Sequence, residues 1–315
     1  DEQPARLVDP TTGQAVNETS LPAVKDGKTV GTYTIDPKTG TVTFQPNKDF
    51  VGTPDPIQVE VKDANGTPAK ASYTPTVTAV VPRGDNQTTT DIQGKTQSAT
   101  LVFTPGSDKV PMDDTVAATF EDGSSEKKVE GQGTYTVAKD GTVTFVPEKS
   151  FVGTADPVTV KRQDVNGTVA TATYTPIVTA VTPSGSPATS SGLQGASQTG
   201  TPSFTPGHPD VPIKIDADQP AQFVVAGKAV TETSIPAPKD GQEVGTYTLD
   251  PLTGTVTFQP KKDFVGVPDP VTVQAKDANG TPATATYTPS VTGVTPNGNQ
   301  VESYGLKGQI QTGKP

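Results

Sequence analysis

The chain has 315 residues, enough for two or three domains of ordinary size, and its hydrophobic (31%) and aromatic (5%) residues are too few for one large core. Its formal net charge of -10 argues against nucleic acid or an anionic membrane surface as a partner. The sequence contains no cysteine, which excludes disulfides and zinc-thiolate sites, and no apolar run of about 18 residues, so no membrane insertion is predicted.

In chain order, the first predicted elements are short, half-buried antiparallel strands with apolar residues at every second position and threonine at many outward positions. Strong turn sequences separate them, Asp-Pro-Lys-Thr-Gly at 36–40 and Asp-Ala-Asn-Gly at 63–66. No segment has an apolar stripe with a period of about 3.6 residues, so we expect an all-β chain. The residues predicted to face the core of this first part are Tyr33, Phe44, Phe50, Val59 and Tyr73.

The same elements recur twice further along the chain. Segments that begin with Gly-Thr-Tyr-Thr start at Gly31, Gly133 and Gly245, so the period is 102 and then 112 residues, the usual size of one β-sandwich domain. The second copy shortens the first turn to Lys-Asp-Gly at 139–141, a change that a hairpin tip tolerates. In the third copy the residues predicted to face inward are Tyr247, Leu249, Val256, Phe258, Val271, Val273, Ala275, Ala285 and Tyr287.

The second and third repeats also have an opening segment, which begins at Asp91 (DIQGKTQSATLVFTPG) and at Gly192 (GLQGASQTGTPSFTPG), and a shorter copy begins at Gly305 (GLKGQIQTGKP). If this segment supplies strands to the unit that follows it, the first unit is expected to expose a sheet edge. Residues 305–315 of a neighbouring molecule could then fill that edge by strand addition. If the segment packs on the preceding unit instead, the chain holds three nearly whole units.

We therefore predict four ranges: repeat unit 1 at 1–82, without its opening segment, repeat unit 2 at 83–183, repeat unit 3 at 184–296, and a truncated opening segment of a further repeat at 297–315. The boundaries fall at short proline-containing linkers, which favour limited bending between units. The predicted fold class is all-β, with tandem Ig-like or Greek-key-type β-sandwich repeats arranged end to end as a rod of roughly 100–130 Å.

The ordered pattern of Gly-Thr-Tyr-Thr, Thr-Val-Thr-Phe, Phe-Val-Gly, Asp-Pro, Asp-x-Asn-Gly-Thr and Tyr-Thr-Pro-x-Val occurs three times, and the similarity covers nearly the whole chain. It resembles the CshA-type fibril repeat of streptococcal, Gram-positive, cell-wall-anchored surface adhesins. The resemblance implies that the chain is a structural stalk that projects an adhesive tip away from the cell wall, and not an enzyme. It also implies an extracellular position on the bacterial cell surface, with neighbouring repeats of the same array as partners.

An alternative is that the repeats themselves are adhesive modules that bind host extracellular-matrix glycoproteins or other bacterial surfaces. A third hypothesis, the non-catalytic spacer of an enzyme, depends on flanking sequence. The resemblance implies that a non-repetitive amino-terminal region engages host proteins such as fibronectin. The motif Leu-Pro-x-Thr-Gly, which directs attachment to the cell wall, is not found in this chain. Host binding and wall anchoring are therefore expected from regions outside this sequence, and no cofactor is predicted.

Three aspartates begin sequences that are similar to the start of a calcium-binding loop. Asp63, Asp164 and Asp277 each open an Asp-x-Asn-Gly sequence, but the further oxygen ligands and the terminal glutamate of an EF-hand do not follow. Calcium bound by clustered carboxylates near the ends of the sandwiches is one interpretation. A hairpin turn explains the same residues with fewer assumptions.

Two further candidates lie in predicted loops. Arg83-Gly84-Asp85 spells an integrin-recognition tripeptide on a predicted exposed linker, although the aligned linkers share only its glycine. His208 is the single histidine of the chain, and a catalytic triad or a histidine metal site would need partners that the sequence lacks, so we expect a solvent-exposed loop residue.

Three lysines recur at equivalent positions, each two residues before a recurring phenylalanine. They are Lys48, Lys149 and Lys262. A lysine-asparagine amide cross-link, which would suit a stalk without disulfides, is one interpretation, and solvation of a strand edge is the other.

Overall fold

A computed structural model of the chain describes residues 3–315. Its regular elements are all β-strands, and within this range there is no helix of the length and apolarity needed to cross a membrane. The chain divides into two compact units. The first comprises residues up to 91, 95–147 and 154–178, and the second comprises 92–94, 148–153 and 179–315.

The first unit contains the strands of the first two repeats. They are β1 (Arg6–Val8), β2 (Ser20–Lys25), β3 (Lys28–Ile35), β4 (Val42–Pro46), β5 (Ile57–Lys62), β6 (Pro68–Tyr73), β7 (Arg83–Asp85), β8 (Gln87–Ile92), β9 (Gln97–Thr100), β10 (Val102–Thr104), β11 (Thr119–Phe120), β12 (Glu126–Val129), β13 (Gly133–Val137), β14 (Thr142–Pro147), β15 (Gly153–Thr154), β16 (Val158–Gln163) and β17 (Val169–Thr179). The first repeat has the sheets β1-β5-β6 and β2-β3-β4. The second has β12-β13-β14-β9, β11-β16-β17-β15 with β8 added on β17, and the short ribbon β10-β7.

The second unit contains the strands of the third repeat. They are β18 (Ser184–Ser186), β19 (Ala188–Leu193), β20 (Gln198–Gly200), β21 (Ser203–Thr205), β22 (Gln222–Val225), β23 (Lys228–Val230), β24 (Ser234–Lys239), β25 (Gln242–Leu249), β26 (Val256–Pro260), β27 (Val271–Lys276) and β28 (Pro282–Thr292). They form the sheets β19-β28-β27-β22-β23 and β20-β26-β25-β24 and the ribbon β18-β21. Each repeat is therefore a β-sandwich, as predicted.

The opening segments pair with strands of the repeat that follows them. In the second repeat β8 pairs with β17, and β9 runs antiparallel to β14. In the third repeat β19 runs parallel to β28, with Ala188 opposite Tyr287 and Leu193 opposite Thr292, and β20 pairs with β26. The first of the two registers that the sequence leaves open is the one observed. The parallel pairing differs from the antiparallel strands predicted, because alternation indicates which face is buried and not which strand is the neighbour.

The first repeat exposes the sheet edge that this register predicts. Strand β6 ends its sheet, and no other strand within residues 3–315 pairs with its outer edge. All six residues of β6 are exposed, whereas the equivalent strands β17 and β28 have 11 residues each with alternate residues buried. The opening region covers the longer strand in two parts in the third repeat: β19 pairs with residues 287–292, and Gly185 of the β18-β21 ribbon lies against Thr284 and Ala285.

The core of the third repeat confirms the predicted alternation. All nine residues predicted to face inward are at most 6% exposed, including Tyr247, Phe258 and Tyr287. Phe264 packs against this cluster from the loop after β26, with its ring 6.5 Å from the ring of Phe258. The inward residues of antiparallel neighbours face one another, such as Tyr247 opposite Phe258, so local sequence was enough to identify them.

The core of the first repeat is less complete. Tyr33 is 2% exposed, but Phe44, Phe50 and Val59 are half-buried, whereas the Phe44 counterparts in the other repeats are 0% exposed. Tyr73 faces the core, with its ring 6.2 Å from that of Tyr33, yet it remains 37% exposed. The missing cover over β6 explains the difference, because in the other repeats the opening segment lies over this side of the sandwich.

The predicted turns are present and are held by aspartate side chains. The Asp36 carboxylate accepts a hydrogen bond from the Lys38 amide at 2.9 Å, and the equivalent Asp250 accepts one from the Leu252 amide at 2.9 Å. These backbone hydrogen bonds hold the pKa of both carboxyls below its usual value, with additional contributions from threonine hydroxyls. Each turn therefore favours the ionised aspartate.

Candidate functional site

The Asp-x-Asn-Gly sequences form three turns of the same geometry. The Asp277 carboxylate accepts hydrogen bonds from the amides of Asn279 and Thr281, both at 2.9 Å, and Asp63 and Asp164 make equivalent bonds in their own turns. Asp164 and Asp277 are 0% exposed, but Asp63 is exposed. The hairpin-turn explanation of these aspartates therefore accounts for one oxygen of each carboxylate.

The turns offer few oxygen ligands for the calcium ion that the sequence suggests. Each turn brings one carboxylate, and within residues 3–315 no group of three acidic, histidine or cysteine side chains lies close enough to hold a metal ion. Calcium takes six to eight oxygen ligands. The second carboxylate oxygens of Asp164 and Asp277 are buried without a hydrogen-bond partner, but a single oxygen does not make a site. Calcium at Asp63, Asp164 or Asp277 stays a prediction.

The tripeptide Arg83-Gly84-Asp85 lies in a strand and not in a linker. It forms β7, which pairs antiparallel with β10, and the Arg83 and Asp85 side chains approach each other to 3.7 Å. A Cβ added to Gly84 would lie 2.4 Å from the Thr171 carbonyl oxygen, so the glycine allows close packing on β17. The prediction of a linker is wrong at these residues, because they form a strand, but the Arg83 and Asp85 side chains are exposed as predicted, by 72% and 46%. Integrin-type recognition stays a prediction.

His208 has a local structural role. Its Nδ1 accepts a hydrogen bond from the Asp210 amide at 3.2 Å, and a β-bridge joins His208 to Val211. Ser107 makes the equivalent bridge to Val110 in the second repeat. His208 lies in a loop as predicted, but it is half-buried instead of solvent-exposed, because it closes this turn.

A buried polar network, which the sequence analysis missed, ties each opening segment to its repeat. In the third repeat the Ser190 hydroxyl lies 2.6 Å from the Tyr287 hydroxyl and donates to Gln198 Oε1 at 2.7 Å, while Gln198 Nε2 donates to the Ser290 carbonyl at 3.0 Å. Gln198 is only 6% exposed. Every polar group in this chain of contacts has a partner, so the network fixes the opening strands on β28.

The second repeat contains the same network. Its four members correspond to Ser190, Tyr287, Gln198 and the Ser290 carbonyl of the third repeat. They are Thr89, Tyr174, Gln97 and the Ile177 carbonyl, joined by hydrogen bonds of 2.6–3.0 Å. One sequence signal could have revealed it, since a hydroxyl residue stands two positions before the start of all three opening segments and a glutamine follows it by eight positions. The pairs are Thr89 and Gln97, Ser190 and Gln198, and Ser303 and Gln311.

Buried tyrosines should make the repeats sensitive to alkali. Burial raises the pKa of Tyr33, Tyr135, Tyr174, Tyr247 and Tyr287 above the ordinary value. A raised pKa in the folded state means that this stability is fully present below the unfolded value of about 10 and is lost as pH rises toward the folded value.

We expect these tyrosines to ionise together with unfolding. The measurement is ultraviolet absorbance of tyrosinate against pH, recorded beside circular dichroism. The Tyr135→Phe variant should lose one ionising group from the cooperative step. Reversible ionisation of all seven tyrosines with the β signal intact would contradict the expectation.

Two of the three recurring lysines contact the Asp-x-Asn-Gly turn of the repeat that follows. In the first compact unit Lys48 Nζ donates to the Val165 carbonyl at 3.0 Å, and in the second compact unit Lys149 Nζ donates to the Ala278 carbonyl at 3.2 Å. Asn279 Nδ2 also donates to the Gln93 carbonyl at 2.8 Å. These lysines therefore hold backbone oxygens of the turns, and an amide cross-link at Lys48, Lys149 or Lys262 stays a prediction.

Comparison with known proteins identifies the repeats. The family model described as the surface adhesin CshA repetitive domain matches residues 1–77, 79–178 and 180–291. The chain is 66% identical to the NMR structure of repeat domain 13 of the fibrillar adhesin CshA from Streptococcus gordonii, over 22% of this chain and 90% of that one, with a TM-score of 0.15. None of the curated proteins matches the chain.

Tandem domains of animal proteins also align with the chain, at low identity. A crystal structure of Drosophila N-cadherin EC1-3 is 14% identical, covers 89% of this chain and 91% of its own, and has a TM-score of 0.28. The I9-I11 tandem of titin is 10% identical, with coverages of 93% and 90% and a TM-score of 0.31. The assignment rests on the sequence match of the three repeats: the chain belongs to the CshA repetitive-domain family, a family of surface adhesin repeats and not of enzymes.

Proposed function

We propose that this chain is a structural stalk segment that holds an adhesive region of a CshA-type adhesin away from the bacterial cell wall. The observation that carries the proposal is the threefold match to the CshA repetitive domain across residues 1–291. Membership in a surface adhesin family implies a bacterial cell-surface location. Wall anchoring and binding of host proteins such as fibronectin are assigned to regions outside this sequence.

The architecture of each repeat is consistent with a spacer. The large aromatic side chains of the third repeat point into its own core, where Tyr247, Phe258 and Tyr287 are at most 1% exposed. Recognition surfaces usually need exposed aromatic anchors.

Part of the proposal is the division into repeat units 1–82, 83–183 and 184–296, followed by an opening segment at 297–315.

We expect beads coated with this chain to adhere neither to immobilised fibronectin nor to bacterial surfaces beyond the background of uncoated beads. A CshA-type adhesin that retains its non-repetitive region serves as the positive control.

Small-angle scattering extrapolated to zero concentration should give a maximum dimension of roughly 100–130 Å, as short proline-containing linkers and an acidic surface predict. A compact particle of the same mass would contradict the spacer.

The alternative, that the repeats are themselves adhesive modules, predicts the opposite adhesion result. Saturable binding of the coated beads to fibronectin or to other bacterial surfaces, abolished by excess free chain, would establish it in place of the stalk.

A further inference from the structure

A strand near the start of the third repeat and the strand that closes the repeat are direct neighbours. Strand β19 runs parallel to β28, with Ala188 opposite Tyr287 at one end and Leu193 opposite Thr292 at the other. Just beyond the last pair, the Gln194 amide donates to the Thr292 carbonyl at 2.8 Å. These two strands, here called the terminal pair, therefore join the beginning of the repeat directly to its end.

Chain connectivity decides how tension acts on the terminal pair. In a tandem array the pull enters a repeat from its amino-terminal side and leaves on its carboxyl-terminal side, so it acts at Ala188 on β19 and at Thr292 on β28. These residues lie at opposite ends of the terminal pair, because the strands are parallel. Tension therefore slides the strands along each other and loads their hydrogen bonds together. In an antiparallel pair both pulls would act at the same end and separate the bonds one at a time.

Buried side chains add links across the same pair of strands. The Ser190 hydroxyl of β19 lies 2.6 Å from the Tyr287 hydroxyl of β28, and Gln198 Nε2 donates to the Ser290 carbonyl at 3.0 Å. Tyr287 is 0% exposed and Gln198 is 6% exposed, so water has little access to these groups. Hydrogen bonds in such a low-dielectric setting are electrostatically stronger than exposed ones. The network therefore opposes sliding of β19 along β28.

The short strand that precedes β19 contributes less. A pull from the amino-terminal side first meets β18, which forms a ribbon with β21 between Ser184–Ser186 and Ser203–Thr205. Detachment of this ribbon leaves the whole terminal pair in place. Detachment of β19, in contrast, uncovers β28 and the core around Tyr287. The terminal pair is therefore the barrier that protects the core of the repeat.

The second repeat has the same arrangement in a different sequence. Strand β8 (QTTTDI) pairs with β17, although it shares only one residue in six with β19 (ATSSGL). The Gln93 amide donates to the Thr179 carbonyl at 2.8 Å, and the Thr89 hydroxyl lies 2.7 Å from the Tyr174 hydroxyl. Because the contacts recur while the strand sequence changes, they belong to the design of the repeat.

We propose that the pairing of the opening strand with the closing strand is a mechanical clamp, the element that keeps the second and third repeats folded when the array is under tension. The inference rests on the stalk function, which supplies the tension, and adds the part of the fold that resists it. The two proposals can fail separately. Bead adhesion tests the stalk without applying force, and the pulling experiment tests the clamp without any adhesive partner.

Pulling the third repeat in two directions with optical tweezers tests the clamp in the full chain. Since the chain has no cysteine, introduced cysteines define the attachment points. Ser186→Cys with Val294→Cys pulls opposite ends of the terminal pair, which is the shear geometry. Leu193→Cys with Val294→Cys pulls the same end and unzips it. All three positions are exposed. At equal loading rate the shear geometry should need about twofold more force or greater, because several hydrogen bonds share the load.

Two tyrosine variants test the network in the shear geometry. Tyr287→Phe removes the hydroxyl that contacts Ser190 across the terminal pair. Tyr247→Phe is the matched control, because this equally buried hydroxyl donates to the Asp269 carbonyl at 2.8 Å, away from β19. At constant force Tyr287→Phe should unfold roughly 2- to 10-fold faster than wild type, as one lost hydrogen bond implies. Tyr247→Phe should keep the wild-type rate under force, although urea unfolding should show both variants folded and similarly destabilised.

Equal unfolding forces in the two geometries would overturn the clamp, because sliding of the terminal pair would then not be the barrier. The clamp is also wrong if Tyr287→Phe unfolds at the wild-type rate under force, or if Tyr247→Phe accelerates unfolding as much. A chain that passes the adhesion test but gives one of these results keeps the stalk function and loses only the clamp. Adhesive beads together with the expected pulling results would leave the clamp in place and overturn the stalk.

Discussion

Replacing Phe258 by alanine is expected to lower the free energy of unfolding of the third repeat by about 3–5 kcal/mol. The ring is 0% exposed and lies 5.2 Å from Tyr247 and 6.5 Å from Phe264, so its removal leaves a cavity at the centre of the core. A small domain has only about 5–15 kcal/mol of stability in total, and the substitution removes a large part of it. Urea unfolding followed by hydrogen exchange, resolved by repeat, measures the loss.

The equivalent residue of the first repeat is the control for this experiment. Sequence alone predicts the same cost for Phe44→Ala, because the two phenylalanines occupy the same place in the repeat. Phe44 is half-buried, however, and its sandwich is open along β6. We therefore expect a smaller loss at Phe44 than at Phe258. Equal losses, or a loss below about 1 kcal/mol at Phe258, would contradict the burial that distinguishes the two cores.

The Gly245→Ala substitution is expected to destabilise the third repeat by about 1–3 kcal/mol or more. A Cβ at this position would lie 2.5 Å from the Gln259 carbonyl oxygen and 2.7 Å from the edge of the Phe258 ring, so either the β25-β26 pair or the ring must move. Gly31 and Gly133 have the same surroundings in their own repeats. Thermal unfolding monitored by near-ultraviolet circular dichroism provides the measurement.

Gly293→Ala is the matched control. An added Cβ there would make ordinary contacts with Val265, the closest at 3.5 Å, so stability should hardly change. If Gly245→Ala and Gly293→Ala had the same effect, the close approach at Gly245 would not be the reason for glycine in the repeated Gly-Thr-Tyr-Thr sequence.

Much of each repeat could be predicted from local sequence. The alternation of Tyr247 with Leu249 and of Val256 with Phe258 identifies buried faces, because successive side chains of a strand point to opposite sides. The turns at 36–40 and 63–66 were predicted for a similarly local reason, since Asp, Asn and Gly favour those backbone conformations within four or five residues. The threefold repetition then extended these assignments to the whole chain.

The candidate site was less predictable, because its contacts join distant residues. Gln198 and Tyr287 are far apart in sequence and share a network only after the opening segment has paired with β28. The repeat marks Lys149 as a recurring residue, but its partner, the Ala278 carbonyl, lies in the following repeat. Neither contact can be predicted from the alternation of apolar and polar residues along a strand.

The sequence by itself therefore determined the all-β class, the inward residues and the turns, each of which depends on backbone preferences within a few residues. The tertiary structure alone decided which strands are neighbours, that β19 runs parallel to β28, and that Tyr73 is exposed while Tyr287 is buried. Two tyrosines in nearly the same local sequence differ because burial depends on the covering strand, and that strand comes from a part of the chain about 100 residues away.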